Sequence, residues 1–253
     1  MKTAVVLSDT HVGFHDEKAL AVVYQITEAI QPDAVVHLGD LLDCYKISRF
    51  LKHPDRLETL QSEIDGAREV LERLSVASPK ATRVLLEGNH ERRLHKAICN
   101  LDGPSRELAQ LSSVRNALEW PSLLATRALG WRWVPEEAQP LGDILPALLQ
   151  HGTVVRRHAA FSAKAEFERL HTSGFSGHTH RQGLYRATHH TASHLWAEVG
   201  CTCIVDKYDY GFGRPNWQQG FAVVSWHGNT LGVELVGIRN GVAAFRGTRW
   251  KGR

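Results

Sequence analysis

Cysteine is scarce, at 4 of 253 residues, and none of Cys44, Cys99, Cys201 and Cys203 stands in a C-x-x-C pair. That excludes a zinc-finger or thioredoxin-like reading. Cys201 and Cys203 form C-x-C. On a strand they would share one face, too close in sequence for an easy disulfide, so the cysteines read as small buried hydrophobes in a reducing compartment. No run approaches the ~18 apolar residues needed to span a bilayer. The stretch Met1 to Leu7 lacks the apolar core and small-residue cleavage site of a secretory signal and reads as a strand. A cytoplasmic protein without a membrane partner is expected. An excess of one charge is also missing: 30 Lys and Arg against 27 Asp and Glu leave +3, which by itself implies neither nucleic acid nor an anionic surface. There is no low-complexity tract to suggest disorder, and no internal repeat.

Histidine is what the chain has in quantity, 15 residues. Its placement matters more than its number, because imidazole is both the commonest metal ligand and a frequent proton carrier. The length suffices for a substantial core, and the chain reads as one domain over 1–253. Thr3 to Leu7, Ala34 to Leu38 and Arg83 to Leu86 are short aliphatic runs that read as buried strands. Between them, Glu17 to Ile30 and about Leu57 to Ser75 carry apolar residues at helical spacing. This alternation predicts parallel strands joined by right-handed crossovers. Residues 91–140 break into short helical pieces and read as an insertion or cap over one side of the molecule. His158 to Leu170 is helical. From Trp196 onward the texture is β, with hairpin signals at His227-Gly228-Asn229 and Arg239-Asn240-Gly241.

Five polar clusters each follow a predicted strand: Asp9-Thr10-His11, Gly39-Asp40-Leu41-Leu42-Asp43, Gly88-Asn89-His90-Glu91, His151-Gly152 and Gly177-His178-Thr179-His180. In open α/β sheets ligands bind at the carboxyl ends of strands, where these clusters fall. Two divalent cations about 3.5–4 Å apart can clamp a phosphoryl group. Cations so close need an anionic bridge, and Asp40 is the natural carboxylate. A mixed set of imidazole nitrogens with amide or carboxylate oxygens suits Mn²⁺, Fe or Zn²⁺. The glycines at 39, 88, 152 and 177 would let the backbone turn sharply and come close to the ions.

In this order the clusters resemble those of the calcineurin-like metallophosphoesterase superfamily, over roughly residues 3 to 182. The resemblance implies a four-layer αββα sandwich, two mixed β-sheets flanked by helices. It also implies two divalent metal ions, Mn²⁺ first, with Fe or Zn²⁺ as alternatives. One would sit on Asp9, His11 and His180, the other on Asn89, His151 and His178, with Asp40 shared. His90 would be the acid that protonates the leaving oxygen, with a metal-bridging hydroxide as nucleophile. Asp43 is expected behind them, orienting His90 or a ligand. The family often has Asp after G-N-H, where Glu91 stands here.

The expected function is a two-metal phosphodiesterase acting on nucleic acid or nucleotides. The alternatives are a phosphomonoesterase or protein phosphatase and, in a different class, a metal-binding scaffold without catalysis. The remaining polar residues get plainer readings. His37 reads as a core histidine. Arg92 and Arg93, and more remotely Arg156, Arg157 and His158, could reach a phosphate. His189, His190 and His194 read as surface residues on a hairpin. The tail from Arg246 to Arg253 mixes cations with an aromatic and could bind nucleic acid, but reads first as a solvated terminus.

Overall fold

The computed structural model describes residues 1–135, 139–140, 142–190, 192–206 and 215–252. The first part of the chain runs β1 (Lys2–Leu7), α1 (Glu17–Ile30), β2 (Ala34–His37), α2 (Leu60–Ala77) and β3 (Thr82–Leu86). Next come four short helices, α3 (Arg92–Cys99), α4 (Gly103–Gln110), α5 (Ser112–Ala117) and α6 (Trp120–Leu123), then β4 (Trp131–Val134) and β5 (Gln139–Pro140). They are followed by β6 (Leu148–Gln150), α7 (Phe161–Leu170), β7 (Gly174–Ser176), β8 (Gln182–Thr188) and β9 (Ser193–Val199). The chain closes with β10 (Gln219–His227), β11 (Thr230–Arg239), β12 (Val242–Phe245) and β13 (Thr248–Lys251).

The period-2 alternation of β1 sets the architecture. Val5 and Leu7 point to one side, with Val35, Leu85, Phe221 and Val223, and meet Leu20, Val23, Ile64 and Leu71 of α1 and α2. Ala4 and Val6 point to the other side, with Val36, Val84, Ala222 and Val224, and meet Leu149, Phe175, Ala197 and Val199 of the second sheet. Beyond that sheet Trp196 packs on Ala163 and Phe167 of α7. The layers are therefore helix, sheet, sheet, helix, as expected. Each fully buried Val, Leu or Phe contributes about 1.5–3 kcal/mol. The first sheet has the order β13-β12-β11-β10-β1-β2-β3-β4 and the second β5-β6-β7-β9-β8. β1 to β4 run parallel, while β10 lies antiparallel along the other edge of β1.

Local chemistry fixes the boundaries. Asp16 caps α1 by accepting from the amides of Lys18 and Ala19, and Gln31 ends it in the left-handed region. α2 starts at Leu60 and not at Leu57, because Thr59 and Ser62 form a capping box. Both predicted hairpin turns form, with Gly228 in the left-handed region in one and Asn240 and Gly241 in the other. The helical part of the insertion is α3 to α6. Its later residues, Trp131–Val134, add strand β4 to the edge of the first sheet. The strand expected from Trp196 to Val205 stops at Val199, where Gly200 (φ 91°) turns the chain. The end of the chain pairs as β13 with β12, and Trp250 packs on the core. Residues 136–138 of the insertion and Arg253 of the tail lie outside the described residues. Among the described residues no helix is long and apolar enough to cross a membrane.

Candidate metal centre

All five polar clusters meet at one end of the two sheets. Their backbone is held in an uncommon shape. Asp9, His11, Asp40, His178 and His180 all have φ between 48° and 66°, a region that only a few per cent of non-glycine residues occupy. The loops brace one another through the main chain: the Asp9 amide donates to the carbonyl of Gly39 (3.1 Å) and the His11 amide to that of Asp40 (3.0 Å). Two glycines permit the approach. A Cβ on Gly88 would overlap Asp40 Oδ1, and one on Gly177 would overlap Ser8 Oγ.

His11, His151 and His180 are each tethered at one ring nitrogen and present the other to the centre. Nδ1–H of His151 donates to the Leu38 carbonyl (3.1 Å), that of His11 to Asp43 Oδ1 (3.2 Å), and that of His180 points at Cys203 Sγ (3.9 Å). A second partner of this kind fixes the tautomer of a ligating imidazole. The free nitrogens then meet. His11 Nε2 and His180 Nε2 stand 3.0 Å apart. His151 Nε2 is 3.0 Å from Asn89 Oδ1 and 3.2 Å from Asp40 Oδ2. Asp40 Oδ2 is also 3.8 Å from His11 Nε2 and 3.7 Å from His90 Nε2, so it sits between the groups. Asp9 Oδ1 is buried and makes no hydrogen bond, although His180 Nε2 lies 3.1 Å away. Two imidazole nitrogens face to face and a buried Asp9 oxygen without a hydrogen bond are what a cation would satisfy once it displaces the imidazole protons. Asp9 with His11 and His180, and Asp40 with His151 and His178, form groups that could each hold an ion. The residues present therefore fit a metal pair.

Charge follows the same geometry. Burial opposes ionisation of Asp9, but His180 and the nearby His11 outweigh it and hold the carboxyl well below the usual range. Asp40 is likewise depressed against burial by His151 and His90. Burial should lower His151 and His180, yet the facing carboxylates, with Cys203 beside His180, carry both up to about 9. Burial and the charge of His151 lower His178. His37 is the core histidine expected: fully buried, it accepts from the Gly39 amide (3.2 Å) and donates to Thr10 Oγ1 (2.9 Å). Burial takes it down to about 3, so it is neutral.

His90 and Asp43 lie beside this cluster. Nδ1–H of His90 donates to the Asp43 carbonyl (2.8 Å), and Asp43 Oδ1 is 3.3 Å from the same nitrogen. His90 Nε2 faces the cavity and accepts from Arg93 Nη2 (2.9 Å). Of the two arginines singled out in the sequence, Arg93 lines the cavity, whereas Arg92 is half-exposed beside Glu87. Arg156, Arg157 and His158 are exposed and do not line it, and His189 and His190 sit on the exposed β8–β9 turn.

Several contributors were not read from sequence. Glu91 is fully buried, and its carboxylate accepts from the amides of Asp40, Gly88 and Leu42, each at 2.9 Å. It staples the Gly39-Asp40 loop to the Gly88-Asn89-His90 loop, and Trp120 of the insertion donates to its carbonyl (2.7 Å). Burial and the nearby Asp40 push its carboxyl up to about 7 despite the amide donors. Phe14, Phe50, Cys203 and Trp217 complete the lining of a cavity of about 330 Å³. The sequence signal for Cys203 was only its C-x-C neighbour; Phe50 and Trp217 sit in loops without periodicity.

Residues 2–182 match the family model described as calcineurin-like phosphoesterase. The Gene 54 protein of Mycobacterium phage D29 is 32% identical, with 99% of this chain and 99% of that protein covered, and its counterpart in Mycobacterium phage L5 is 30% identical over the same shares. Among solved structures, Vacuolar Protein Sorting 29 from Cryptosporidium parvum aligns with 13% identity and a TM-score of 0.49, covering 99% of this chain and 98% of that one. Yfce, a phosphoesterase from E. coli, aligns with 14% identity and a TM-score of 0.38, covering 88% of each chain. Motif order, strand-end placement and a family match reaching from the first strand past His180 lead to one assignment: the chain belongs to the calcineurin-like phosphoesterase family.

Proposed function

We propose that this protein is a two-metal phosphodiesterase acting on nucleic acid or nucleotides. The observation that carries the reading is the convergence of tethered imidazoles on Asp40, with His90 alongside. Asp9, His11 and His180 would hold one cation, Asn89, His151 and His178 the other, and Asp40 both. Mn²⁺ is the first choice and Fe or Zn²⁺ suit the same donors. A bound pair supplies Lewis-acid stabilisation of phosphoryl charge and lowers the pKa of coordinated water.

The chain's own residues do the rest. The Asp43 carbonyl fixes the His90 ring so that Nε2 looks into the cavity. Protonated there, His90 delivers a proton to the departing alkoxide. Arg93, 2.9 Å from that nitrogen, is placed to turn toward a non-bridging phosphate oxygen. Arg93 is also the one Lys or Arg among the described cavity-lining residues. A single guanidinium suits the one negative charge of a diester better than the two of a monoester. The whole chain would act as one domain, since β10 near its end pairs with β1 at its start. Cys44, Cys201 and Cys203 are buried free thiols, whereas Cys99, read as buried, is exposed, and free thiols suit the reducing cytoplasm.

The test compares bis-p-nitrophenyl phosphate with p-nitrophenyl phosphate on purified protein supplied with Mn²⁺, Zn²⁺, Fe²⁺ or Co²⁺. Diester turnover is expected. Turnover of the monoester alone would replace the proposal with a phosphomonoesterase, and turnover of neither with any metal would leave a metal-binding scaffold.

A further inference from the structure

The floor of the 330 Å³ cavity is polar, but its rim is aromatic. Ligand pockets span about 300–1,000 Å³, so this one is small enough to take a single planar group with its phosphate. Phe14 is a wall, with the Arg56 guanidinium stacked 3.6 Å from its centroid and, equally close, from that of Tyr45. Phe50 and Trp217 line the cavity as well. Phe50 is 48% exposed at the mouth, with Arg93 and Arg49 5.7 Å and 5.8 Å from its ring. Trp217 stands against the His180 ring, centroids 3.9 Å apart at 65°. One aromatic thus belongs to the His90–Arg93 side of the centre and the other to the His180 side.

The segment bearing Phe50 is cationic: residues 46–56 hold Lys46, Arg49, Lys52 and Arg56 against Asp55. Lys46 donates to the Arg56 carbonyl, and Lys52 to the carbonyls of Ser48 and Phe50. Among the described residues no carboxylate pairs with Lys46, Arg49, Lys52 or Arg93, while Arg56 faces Asp43 and Glu58. Aromatic faces beside a cationic track are the means by which proteins hold unpaired bases, at about 1–3 kcal/mol per stacked base.

We infer that the cavity takes a nucleotide unit whose unpaired base lies between Phe50 and Trp217, with its phosphodiester at Arg93 and the metal-binding residues. The inference rests on the phosphodiesterase reading and narrows it. A base inside a duplex is already stacked and paired and must leave the helix to enter, so single strands or free nucleotides are the substrates.

Two measurements test it. The first compares kcat/KM for thymidine 5′-(p-nitrophenyl phosphate) and methyl p-nitrophenyl phosphate, which share a leaving group and differ only in the nucleoside. The wild type should favour the thymidine ester by about 10-fold or more. Phe50→Ala and Trp217→Ala should each shrink that ratio by about 5-fold or more, and Phe50→Tyr should retain it. A wild-type ratio near one, or a ratio unmoved in both alanine variants, overturns the inference.

The second measures fluorescence anisotropy of labelled (dT)6 and of a fully paired hairpin, in EDTA so that nothing is cleaved. The single strand should bind more tightly, and both alanine variants should bind it more weakly. Equal binding of the hairpin overturns the inference. Should (dT)6 bind no better than thymidine 5′-monophosphate, the base site stands and belongs to free nucleotides. Base-dependent binding without hydrolysis would sink the phosphodiesterase reading alone, whereas hydrolysis indifferent to the base would sink only this inference.

Discussion

The Nδ1–H of His90 donates a 2.8 Å hydrogen bond to the main-chain carbonyl of Asp43. A carbonyl cannot take that proton away, so the ring is held with Nε2 as its working nitrogen. His90→Ala should therefore cost about 100- to 10,000-fold in kcat on thymidylyl-(3′→5′)-thymidine, whose alkoxide leaves poorly. On bis-p-nitrophenyl phosphate, whose leaving group needs little help, the loss should be a few-fold. Equal losses on the two substrates would refute the acid role.

Asp43 reaches further than its carbonyl. Its Oδ1 lies 3.2 Å from His11 Nδ1 and 3.3 Å from His90 Nδ1. Burial works against its charge, but those two histidines hold the carboxyl far below the usual range. Asp43→Asn keeps the shape and removes the charge. Metal affinity should drop about 10- to 100-fold, the usual loss when a partner behind a ligand is changed. Titration calorimetry with Mn²⁺ measures it, and unaltered affinity would show that Asp43 does not support His11.

Cation loading should depend on pH in a defined direction. His151 and His180 are raised from 6.5 to about 9 in the metal-free chain, so both carry a proton at neutral pH that a cation must displace. Affinity should climb between pH 6.5 and 9 and then level off, with proton release visible as a dependence of binding heat on buffer ionisation. Stability of the EDTA-treated protein runs the other way. A folded-state pKa above the unfolded one contributes stability that is full below about 6.5 and lost as pH rises through about 9. Calorimetry should find Tm of the metal-free protein falling across that window, and a flat or rising Tm would contradict the assignment.

Glu91→Ala should remove the staple between two loops. It would leave the amides of Asp40, Leu42 and Gly88 buried without an acceptor, at about 1–3 kcal/mol each. A loss of about 3 kcal/mol or more in urea denaturation is expected, together with reduced metal content. Glu91→Gln, which retains one side-chain oxygen, should lose less. If the alanine variant matched the wild type in both measurements, the staple would be decorative.

What could be read from sequence divides along the range of the interactions. The five polar clusters that converge were visible because each is a short motif after an aliphatic run, and α1 and the β10–β12 hairpins because their periodicity and turn residues are local. β4 and β13 escaped because Trp131-Arg132-Trp133-Val134 and Thr248-Arg249-Trp250-Lys251 mix cations with aromatics at sheet edges. The role of Glu91 could not be seen, since Asp40 and Leu42 lie 51 and 49 residues upstream. Cys203 was read as a buried hydrophobe and is buried, but its place behind His180 depends on Gly200 turning the chain back toward the centre. Phe50 and Trp217 come together only through the fold.

The pairing of β1 with β10 has a consequence for synthesis. The strand that leads into Asp9 gains its antiparallel neighbour only when Ala222 to Trp226 have been made. Until then a nascent chain holding all five polar clusters still presents one bare hydrogen-bonding edge at the middle of its future sheet, an invitation to mispairing. Chains truncated and released near residue 200 should therefore be prone to aggregation and to engagement by chaperones, and chains released after residue 240 should not.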